Sequence, residues 1–486
     1  MRSMKPSLPS LLVALALLIP PPAQADLPDL GDVSEATLSA AEEARIGAEL
    51  MRAMRDSGEA TDDPDINAYL NDLGGRLAQS AQMPGGRFTF FSLNDRSINA
   101  FAMPGGYIGV HSGLVLTTQS ESELASVMAH EIAHVTQHHL ARMQASAAPN
   151  QLVLLAAILA GALAAKAGGG SDAAFGALNA GLGLTVASQL AYSRDFEREA
   201  DRVGMQYLAN AGFDVRAMPL FMERLQNANR LNDNNNALAF LRTHPVTVER
   251  ISEAQNRLSA FGLKMRADSP DYLLVREKLR LAALGPDEAV RYYRQALANR
   301  QFLSEGAQWY GLARALLAQK DLEAARRALD EARNRLPDHP MLWSLEADIA
   351  RSAGDETAAR AAYRNGLARY PSNRSLYLGE IGWLIERGQT GEAEKRLRLQ
   401  LGRTPSDSAL YRLQARLYAD RDRLRYHSAL ANALYFEGNA EAALEQYRLA
   451  GEAPGDDFYL RSSNEARMRE LERRIRETPR PKKGRS

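Results

Sequence analysis

A 34-residue period runs through the second half of the chain, and it restricts the possible folds more than any other feature of the sequence. Aromatic residues recur at this interval at Trp309, Trp343, Tyr377 and Tyr411. The other residues in register are Pro337, Pro371 and Pro405, then Gly354 and Gly388, and finally Ala325, Ala359 and Ala393. Independent amphipathic helices would not keep these residue types in one register. The period therefore predicts a stack of repeated units that bury a core between neighbours.

The composition of this unit resembles the tetratricopeptide repeat, with its aromatic residue, central glycine, small residue at the helix contact and closing proline. The resemblance implies an α-solenoid over 271–470, whose concave face suits extended or helical partners. The edges of the array are less regular, because we expect a degenerate first unit near 271–304, a single helix near 408–422 and a last unit over 424–457. The basic stretch 478–486 is predicted to be a disordered tail.

The first 25 residues have the pattern of a secretory signal peptide. Arg2 and Lys5 supply positive charge, Leu11–Ile19 forms an apolar core, and residues 23–25 offer a small-residue cleavage site before Asp26. A membrane anchor is the alternative, but the apolar run is well short of the roughly 20 residues that span a bilayer. The sequence thus predicts export, which in a bacterium leads to the periplasm.

A second apolar stretch, at 152–191, needs the same test. Leu152–Ala165 ends at Lys166 and a run of glycines, and a segment of small residues follows at 173–191. Two short apolar segments joined by glycines predict a helical hairpin that is buried or makes peripheral contact with a membrane. A pair of membrane-spanning helices is the less favoured alternative.

Composition narrows the chemistry further. The chain of 486 residues has no cysteine, so a metal site must be built from histidine and carboxylate side chains. Residues 1–265 carry 20 Lys and Arg against 27 Asp and Glu, whereas residues 266–486 carry 39 against 32. This split is typical of two distinct regions. The basic residues form no compact stripe with interleaved aromatics, so we expect no nucleic-acid partner.

The string His130-Glu131-Ile132-Ala133-His134 carries the strongest chemical signal. Ser120–Glu123 has the form of a capping box, and apolar residues follow it at helical spacing, so the string is predicted to lie on a helix. Histidines four residues apart project from one helix face, close enough to bind one Zn²⁺ together. Glu131 would then lie beside the metal, where it can take a proton from a water molecule.

A catalytic zinc needs a third protein ligand and an open fourth position. The candidates lie in residues 193–201, where Glu197 and Asp201 are four apart on a predicted helix and share a face. One of them can bind the metal while the other orients a histidine or pairs with a cation. By spacing alone, Glu199 competes for the ligand role.

The order of these two motifs resembles the gluzincin metalloproteases of the HtpX and CAAX-prenyl-protease type. The resemblance implies that Glu197, rather than Glu199, is the third ligand. A further family motif is similar to Thr243-His244-Pro245 with Arg250 six residues after the histidine. By this analogy His244 approaches the zinc from a mobile lid, as a fourth ligand in a latent enzyme or as a contact to the transition state. Arg250 would pair with Asp201.

Residues 99–106, which precede the strand-like Tyr107–His111, resemble the active-site edge strand of this family, onto which an extended substrate adds as a further strand. Sequence alone predicts a hairpin turn beside a buried strand. We expect an α+β metalloprotease domain over 26–265, with a small sheet near 87–116, in a chain that is mainly α. The other histidines considered, His111, His138 and His139, are interpreted as non-ligands.

The residues and the resemblance together predict a zinc-dependent metalloendopeptidase with one Zn²⁺ per chain. His130, His134 and Glu197 would hold the ion, while Glu131 activates the water and later protonates the leaving amine. The order of domains is most similar to family members that act on the outer membrane of bacteria. That similarity implies misfolded or stalled outer-membrane β-barrel proteins as substrates, and the barrel-assembly machinery as a partner of the repeat domain.

Two other functions stay open at this point. A periplasmic chaperone or assembly scaffold with marginal proteolysis is favoured by the large repeat domain and by a plug at His244. A membrane-embedded protease depends on 152–191 alone and predicts that extraction requires detergent. The classes differ at Glu131, because a scaffold tolerates Glu131→Gln while a protease loses several orders of magnitude in rate.

Overall fold

The computed structural model describes residues 39–81, 88–146, 192–231, 240–262 and 264–477. The predicted signal peptide, the apolar stretch 152–191 and the basic tail lie outside these residues. Within them, the chain is helical apart from one three-stranded sheet, as the sequence predicts. None of the described helices combines the length and the apolar character that a membrane crossing requires.

The front of the chain contains helices α1 to α8 and strands β1 to β3. In chain order they are α1 Ala40–Asp56, α2 Pro64–Ser80, β1 Thr89–Leu93, β2 Ala100–Met103, β3 Tyr107–His111, α3 Ser112–Thr117, α4 Glu121–Thr136, α5 His139–Ser146, α6 Arg194–Asn210, α7 Ala217–Leu231 and α8 Val248–Arg257. Two short 3₁₀ turns, Pro104–Gly106 and Leu258–Ala260, complete this part.

The sheet has the order β1-β3-β2, so β2 is an edge strand. β3 pairs parallel with β1 and antiparallel with β2, with Phe101 opposite Gly109. The turn Pro104–Gly106 joins β2 to β3, and Gly105 adopts a φ of +75° there. The predicted hairpin is therefore present, and its first strand is the edge strand that the sequence analysis expected.

Helices α4 and α6 pack closely against each other because the contact point is a glycine. A Cβ atom at Gly204 would lie 3.1 Å from the backbone nitrogen of His130 and 3.2 Å from the carbonyl carbon of Ala129. Ser120 caps α4 by accepting a hydrogen bond from the backbone N–H of Glu123. The second half of the predicted capping box is wrong, because the Glu123 carboxylate accepts from the N–H of Gln119 instead.

Twelve helices follow in the described part of the chain and form the predicted α-solenoid. They are α9 Pro270–Leu284, α10 Pro286–Asn299, α11 Glu305–Ala318, α12 Leu322–Arg335, α13 Pro340–Ser352, α14 Glu356–Arg369, α15 Arg374–Glu386, α16 Thr390–Arg403, α17 Ser408–Tyr418, α18 Arg423–Phe436, α19 Ala440–Glu452 and α20 Phe458–Glu477. The repeated glycines occupy the turns within units, where Gly354 and Gly388 have φ values of +72° and +70°. Helix α17 lies at the position predicted for a single helix, but it packs extensively against α18.

The first solenoid helix packs directly onto the front of the chain. Tyr272 and Leu279 of α9 belong to the same apolar core as residues of α2 and α4. The Arg276 guanidinium donates to the carbonyl oxygens of Val115 and Leu116 in α3, at 3.0 and 3.2 Å. This contact joins the solenoid to the helix that follows β3.

A buried ion cluster also crosses this boundary. Lys278 Nζ of α9 lies 2.7 Å from Asp63 Oδ1 and 2.6 Å from Asp65 Oδ2 at the start of α2. Ser375 of α15 donates to the same Asp65 oxygen at 3.2 Å. We call Lys278, Asp63 and Asp65 the interdomain clamp, because it fixes the solenoid to the front of the chain.

Candidate metal centre

Helix α4 presents the two histidines of the predicted string side by side. His130 Nε2 and His134 Nε2 are 3.0 Å apart, which follows from their spacing of one helical turn. Both rings are buried between α4 and α6. Their nitrogens can therefore act on one ion in a site from which bulk water is excluded.

Helix α6 brings a carboxylate to these nitrogens. Glu197 Oε2 lies 3.5 Å from His130 Nε2, and Glu197 Oε1 lies 3.4 Å from His134 Nε2. The competing candidate, Glu199, points to another partner, His139, with a separation of 3.1 Å. Between the two glutamates, the structure thus brings only Glu197 to both histidines of the string.

A fourth donor comes from far along the chain. His244 Nδ1 lies 3.0 Å from Glu197 Oε1 and 3.3 Å from His130 Nε2. One donor atom from each of His130, His134, Glu197 and His244 falls within 4.8 Å of the others, and all four residues are 1 to 3% exposed. The separations of 3.0 to 3.5 Å, in which both oxygens of Glu197 take part, are close to the roughly 3.3 Å between neighbouring ligands of a tetrahedral zinc with bonds of 2.0 to 2.1 Å.

Glu131 lies beside this group of donors rather than within it. Its Oε1 atom is 3.4 Å from Nε2 of His244, the ring nitrogen that does not belong to the donor group. The side chain is fully buried, and burial raises the pKa of its carboxyl group. A raised pKa brings a carboxylate closer to the range in which it can both accept and return a proton near neutral pH.

Asp201 and Arg250 form the pair that the sequence analysis expected. Arg250 donates to both Asp201 oxygens, from Nε at 2.7 Å and from Nη2 at 2.8 Å. The third guanidinium nitrogen, Nη1, lies 2.6 Å from Glu197 Oε2. Asp201 Oδ1 in turn is 3.0 Å from Nδ1 of His130, the ring nitrogen that faces away from the donor group.

The charges of the group follow from these contacts. Burial alone would raise the pKa of Glu197, but His244 and the hydrogen bonds from His130 and His134 outweigh it and hold the pKa well below its ordinary value. Burial lowers the pKa of His130, but hydrogen bonds to Asp201 and Glu197 overcome this and raise it to about 10. Without a bound cation, the carboxylates therefore retain a proton on a histidine as their counter-charge.

Comparison with known families identifies the class of this chain. The profile of peptidase family M48 matches residues 64–258, which include all of the donors described above. The tetratricopeptide-repeat profile matches residues 285–349 and 350–417. A β-barrel assembly-enhancing protease of Yersinia pestis is 34% identical over 396 residues, which are 79% of this chain and 79% of that protein. This chain belongs to peptidase family M48.

Other M48 relatives are similar over shorter regions. A putative β-barrel assembly-enhancing protease of Vibrio cholerae is 38% identical over 329 residues, 67% of this chain and 66% of that protein. The mitochondrial metalloendopeptidase OMA1 of Schizosaccharomyces pombe is 30% identical over 200 residues, 40% of this chain and 54% of that protein. The M48 chain described here is therefore a metalloendopeptidase, with an α+β catalytic part followed by tetratricopeptide repeats.

The structure also places residues at the M48 site that sequence reasoning missed. Tyr192 stacks on His134 with ring centroids 3.9 Å apart and an interplanar angle of 18°. His139, interpreted as a non-ligand, lies outside the donor group but contacts His134 directly, Nδ1 to Nδ1, at 2.9 Å. Helical spacing gave no signal for it, because α4 ends at Thr136 and His138 turns the chain with a φ of +51°.

Proposed function

We propose that this protein is a zinc endopeptidase of the bacterial periplasm that degrades misfolded or stalled outer-membrane β-barrel proteins and assists their assembly. The observation that carries the proposal is the compact group of four buried donors with Glu131 beside it. The barrel class of substrate is supported by the similarity to the β-barrel assembly-enhancing proteases of Yersinia and Vibrio. The signal-like pattern at 1–25 supports the periplasm.

Zinc is the metal that the donor set favours. Imidazole nitrogens and one carboxylate in a tetrahedral arrangement are typical zinc ligands, whereas calcium and magnesium prefer six or more oxygen atoms. We propose that His130, His134 and Glu197 hold the ion. When bound, it polarises the scissile carbonyl and makes a nearby water molecule more acidic.

The remaining groups move or position protons around that chemistry. Glu131 takes a proton from the attacking water and delivers it to the leaving amine. Asp201 Oδ1 lies 3.0 Å from Nδ1 of His130, so it favours a hydrogen on that nitrogen and leaves Nε2 free to act as a ligand. Arg250 bridges Asp201 and Glu197, so it fixes two carboxylates and balances their charge.

His244 determines whether the site is open. Its Nδ1 atom fills the fourth corner of the donor group and its Nε2 atom faces Glu131, so a substrate carbonyl has no position there. We propose that this arrangement is that of a latent enzyme and that His244 must move before a peptide binds. The N–H of Phe240 donates to the carbonyl of Ile98, close to β2. Movement of the segment from Phe240 to His244 would expose β2, the edge strand on which we expect the substrate to pair.

The alternative function is a chaperone or assembly scaffold in which proteolysis stays marginal. The observation that favours it is the same occupied fourth corner at His244. In this alternative the solenoid would bind unfolded barrels and the barrel-assembly machinery, and the metal would serve stability. Peripheral membrane contact through 152–191 remains part of the proposal, on the basis of its sequence.

The test compares three zinc-loaded proteins on an unfolded outer-membrane β-barrel substrate. They are the wild type, His244→Ala, and Glu131→Gln as the blank. Cleavage by the wild type that Glu131→Gln abolishes would support the endopeptidase. A faster His244→Ala would support latency through a fourth ligand, while an inactive His244→Ala would place His244 in the catalytic apparatus. If neither the wild type nor His244→Ala cleaves the substrate faster than Glu131→Gln does, the endopeptidase proposal is wrong and the scaffold takes its place.

A further inference from the structure

A second ring nitrogen of His134 has a partner that the proposed mechanism does not use. His134 Nδ1 lies 2.9 Å from Nδ1 of His139, and both rings are buried. The other nitrogen of His139, Nε2, lies 3.1 Å from Glu199 Oε2. Three side chains therefore form a continuous line that leads from the metal-facing nitrogen to a carboxylate on α6.

The hydrogen atoms along this line can be assigned from the donor and acceptor capacities of imidazole. If His134 Nε2 is a ligand, its hydrogen must be on Nδ1, and Nδ1 then donates to Nδ1 of His139. That contact requires His139 to carry its own hydrogen on Nε2, from which it donates to Glu199. This placement of the hydrogen atoms satisfies both contacts. Glu199 favours it because a carboxylate can only accept, so it requires the hydrogen on Nε2 of His139.

The packing around His139 holds the ring in this position. Phe196 stacks on one face, with centroids 4.6 Å apart and an interplanar angle of 15°. Arg142 lies over the same Phe196 ring at 4.7 Å and donates to Glu199 Oε2 at 2.8 Å. The carboxylate is thus anchored by a cation from α5 while it accepts from His139.

We propose that His139 is a positioning residue for the metal centre, which fixes the tautomer and ring angle of His134 and is itself oriented by Glu199. The geometry gives His134 the kind of support that Asp201 gives His130, where Oδ1 and Nδ1 are 3.0 Å apart. The two histidines thus receive different supports, a carboxylate for one and a histidine–carboxylate pair for the other. This inference rests on the proposed zinc site.

Loss of such an outer partner should weaken the ligand that it orients. Replacement of hydrogen-bond partners behind a metal ligand costs about 10- to 100-fold in metal affinity or activity. His139→Phe keeps an aromatic ring to stack on Phe196 but cannot accept from His134. His139→Gln keeps an acceptor oxygen. We expect His139→Phe to weaken zinc binding by about 10- to 100-fold and His139→Gln to restore part of that loss.

The experiment measures zinc affinity by competition with a chromophoric chelator, in the full mature chain. The variants are His139→Phe, His139→Gln, Glu199→Ala and Glu199→Gln. The control is His138→Asn, because His138 is adjacent and exposed, and Asn tolerates its left-handed backbone. Glu199→Ala should weaken zinc binding, and Glu199→Gln should stay close to wild type because its amide oxygen still accepts from His139.

The outcomes separate this inference from the function on which it rests. If the wild type binds no zinc, the proposed metal centre itself is wrong. If the wild type binds zinc and His139→Phe and Glu199→Ala both match His138→Asn, the positioning role is wrong. A purely structural role would lower the unfolding temperature of the metal-free protein without a change in zinc affinity, and that result would also overturn the inference. The ordered loss and partial recovery described above would support it.

Discussion

Replacing Lys278 with methionine should detach the solenoid from the front of the chain in a measurable way. Lys278 is 8% exposed and Asp65 is 6% exposed, and their charged atoms are 2.6 Å apart. The ammonium is also 2.7 Å from Asp63, whose side chain is 27% exposed. Removal of the cation leaves Asp65 buried, with Ser375 as a remaining hydrogen-bond partner and the Arg314 guanidinium as a remaining nearby cation.

The size of the effect follows from this burial. Breaking a buried ion pair by removing one partner costs about 3–5 kcal/mol, since the remaining charge stays desolvated. The contact to Asp63 adds less, about 0–1 kcal/mol, because Asp63 is partly exposed to water. We therefore expect Lys278→Met to lower the free energy of unfolding by about 3–5 kcal/mol. The double variant Lys278→Met with Asp65→Asn should recover much of this loss, because it removes the stranded charge.

Urea unfolding of the mature chain, in a Glu131→Gln background to prevent autolysis, measures the change. Lys395→Met is the matched control, since Lys395 is exposed on α16 and the substitution is the same. The reasoning would be refuted by a Lys278→Met protein that unfolds within about 0.5 kcal/mol of the control, the range of ordinary surface substitutions. A double variant less stable than Lys278→Met would also contradict it.

Three further predictions use the same unfolding measurement. Gly74→Ala should lower the free energy of unfolding by about 1–3 kcal/mol, because its Cβ would clash with the Phe90 ring. Gly75→Ala has no atom within 4 Å of the new Cβ and should raise the free energy of unfolding by up to about 1 kcal/mol. Equal effects of the two substitutions would contradict this packing. Arg250→Met should lower the free energy of unfolding of the metal-free protein by about 3–5 kcal/mol, and Arg250→Lys should recover part of that loss. An unchanged stability of Arg250→Met would show that Asp201 and Glu197 do not need this cation. Burial raises the pKa of Asp63, but the clamp ammonium outweighs it and holds the pKa below its ordinary value. The part of the clamp's stability that comes from Asp63 is therefore present above about pH 4 and lost below it, so the stability difference between wild type and Lys278→Met should be constant from about pH 5 to 8 and shrink by up to about 1 kcal/mol toward about pH 3.

Local periodicity determined much of this protein. The interval of 34 residues predicts the stacked helix pairs because each unit contacts its neighbours, so the fold of the solenoid repeats with its sequence. The four-residue interval between His130 and His134 likewise places two imidazoles on one helix face without any knowledge of the tertiary structure. The choice of Glu197 as the third ligand required the family resemblance, since spacing alone left Glu199 as an equal candidate.

Only the tertiary structure decided how the pieces meet. His244 reaches the donor group across 114 residues of chain, a contact fixed by packing rather than by local pattern. Glu199 and His139 support His134 because α4 ends before His138 and the chain turns back against α6. No sequence motif singles out Lys278, and it becomes part of the interdomain clamp only where α9 meets α2. Such long-range contacts depend on which surfaces the whole chain buries together, and no single segment encodes that.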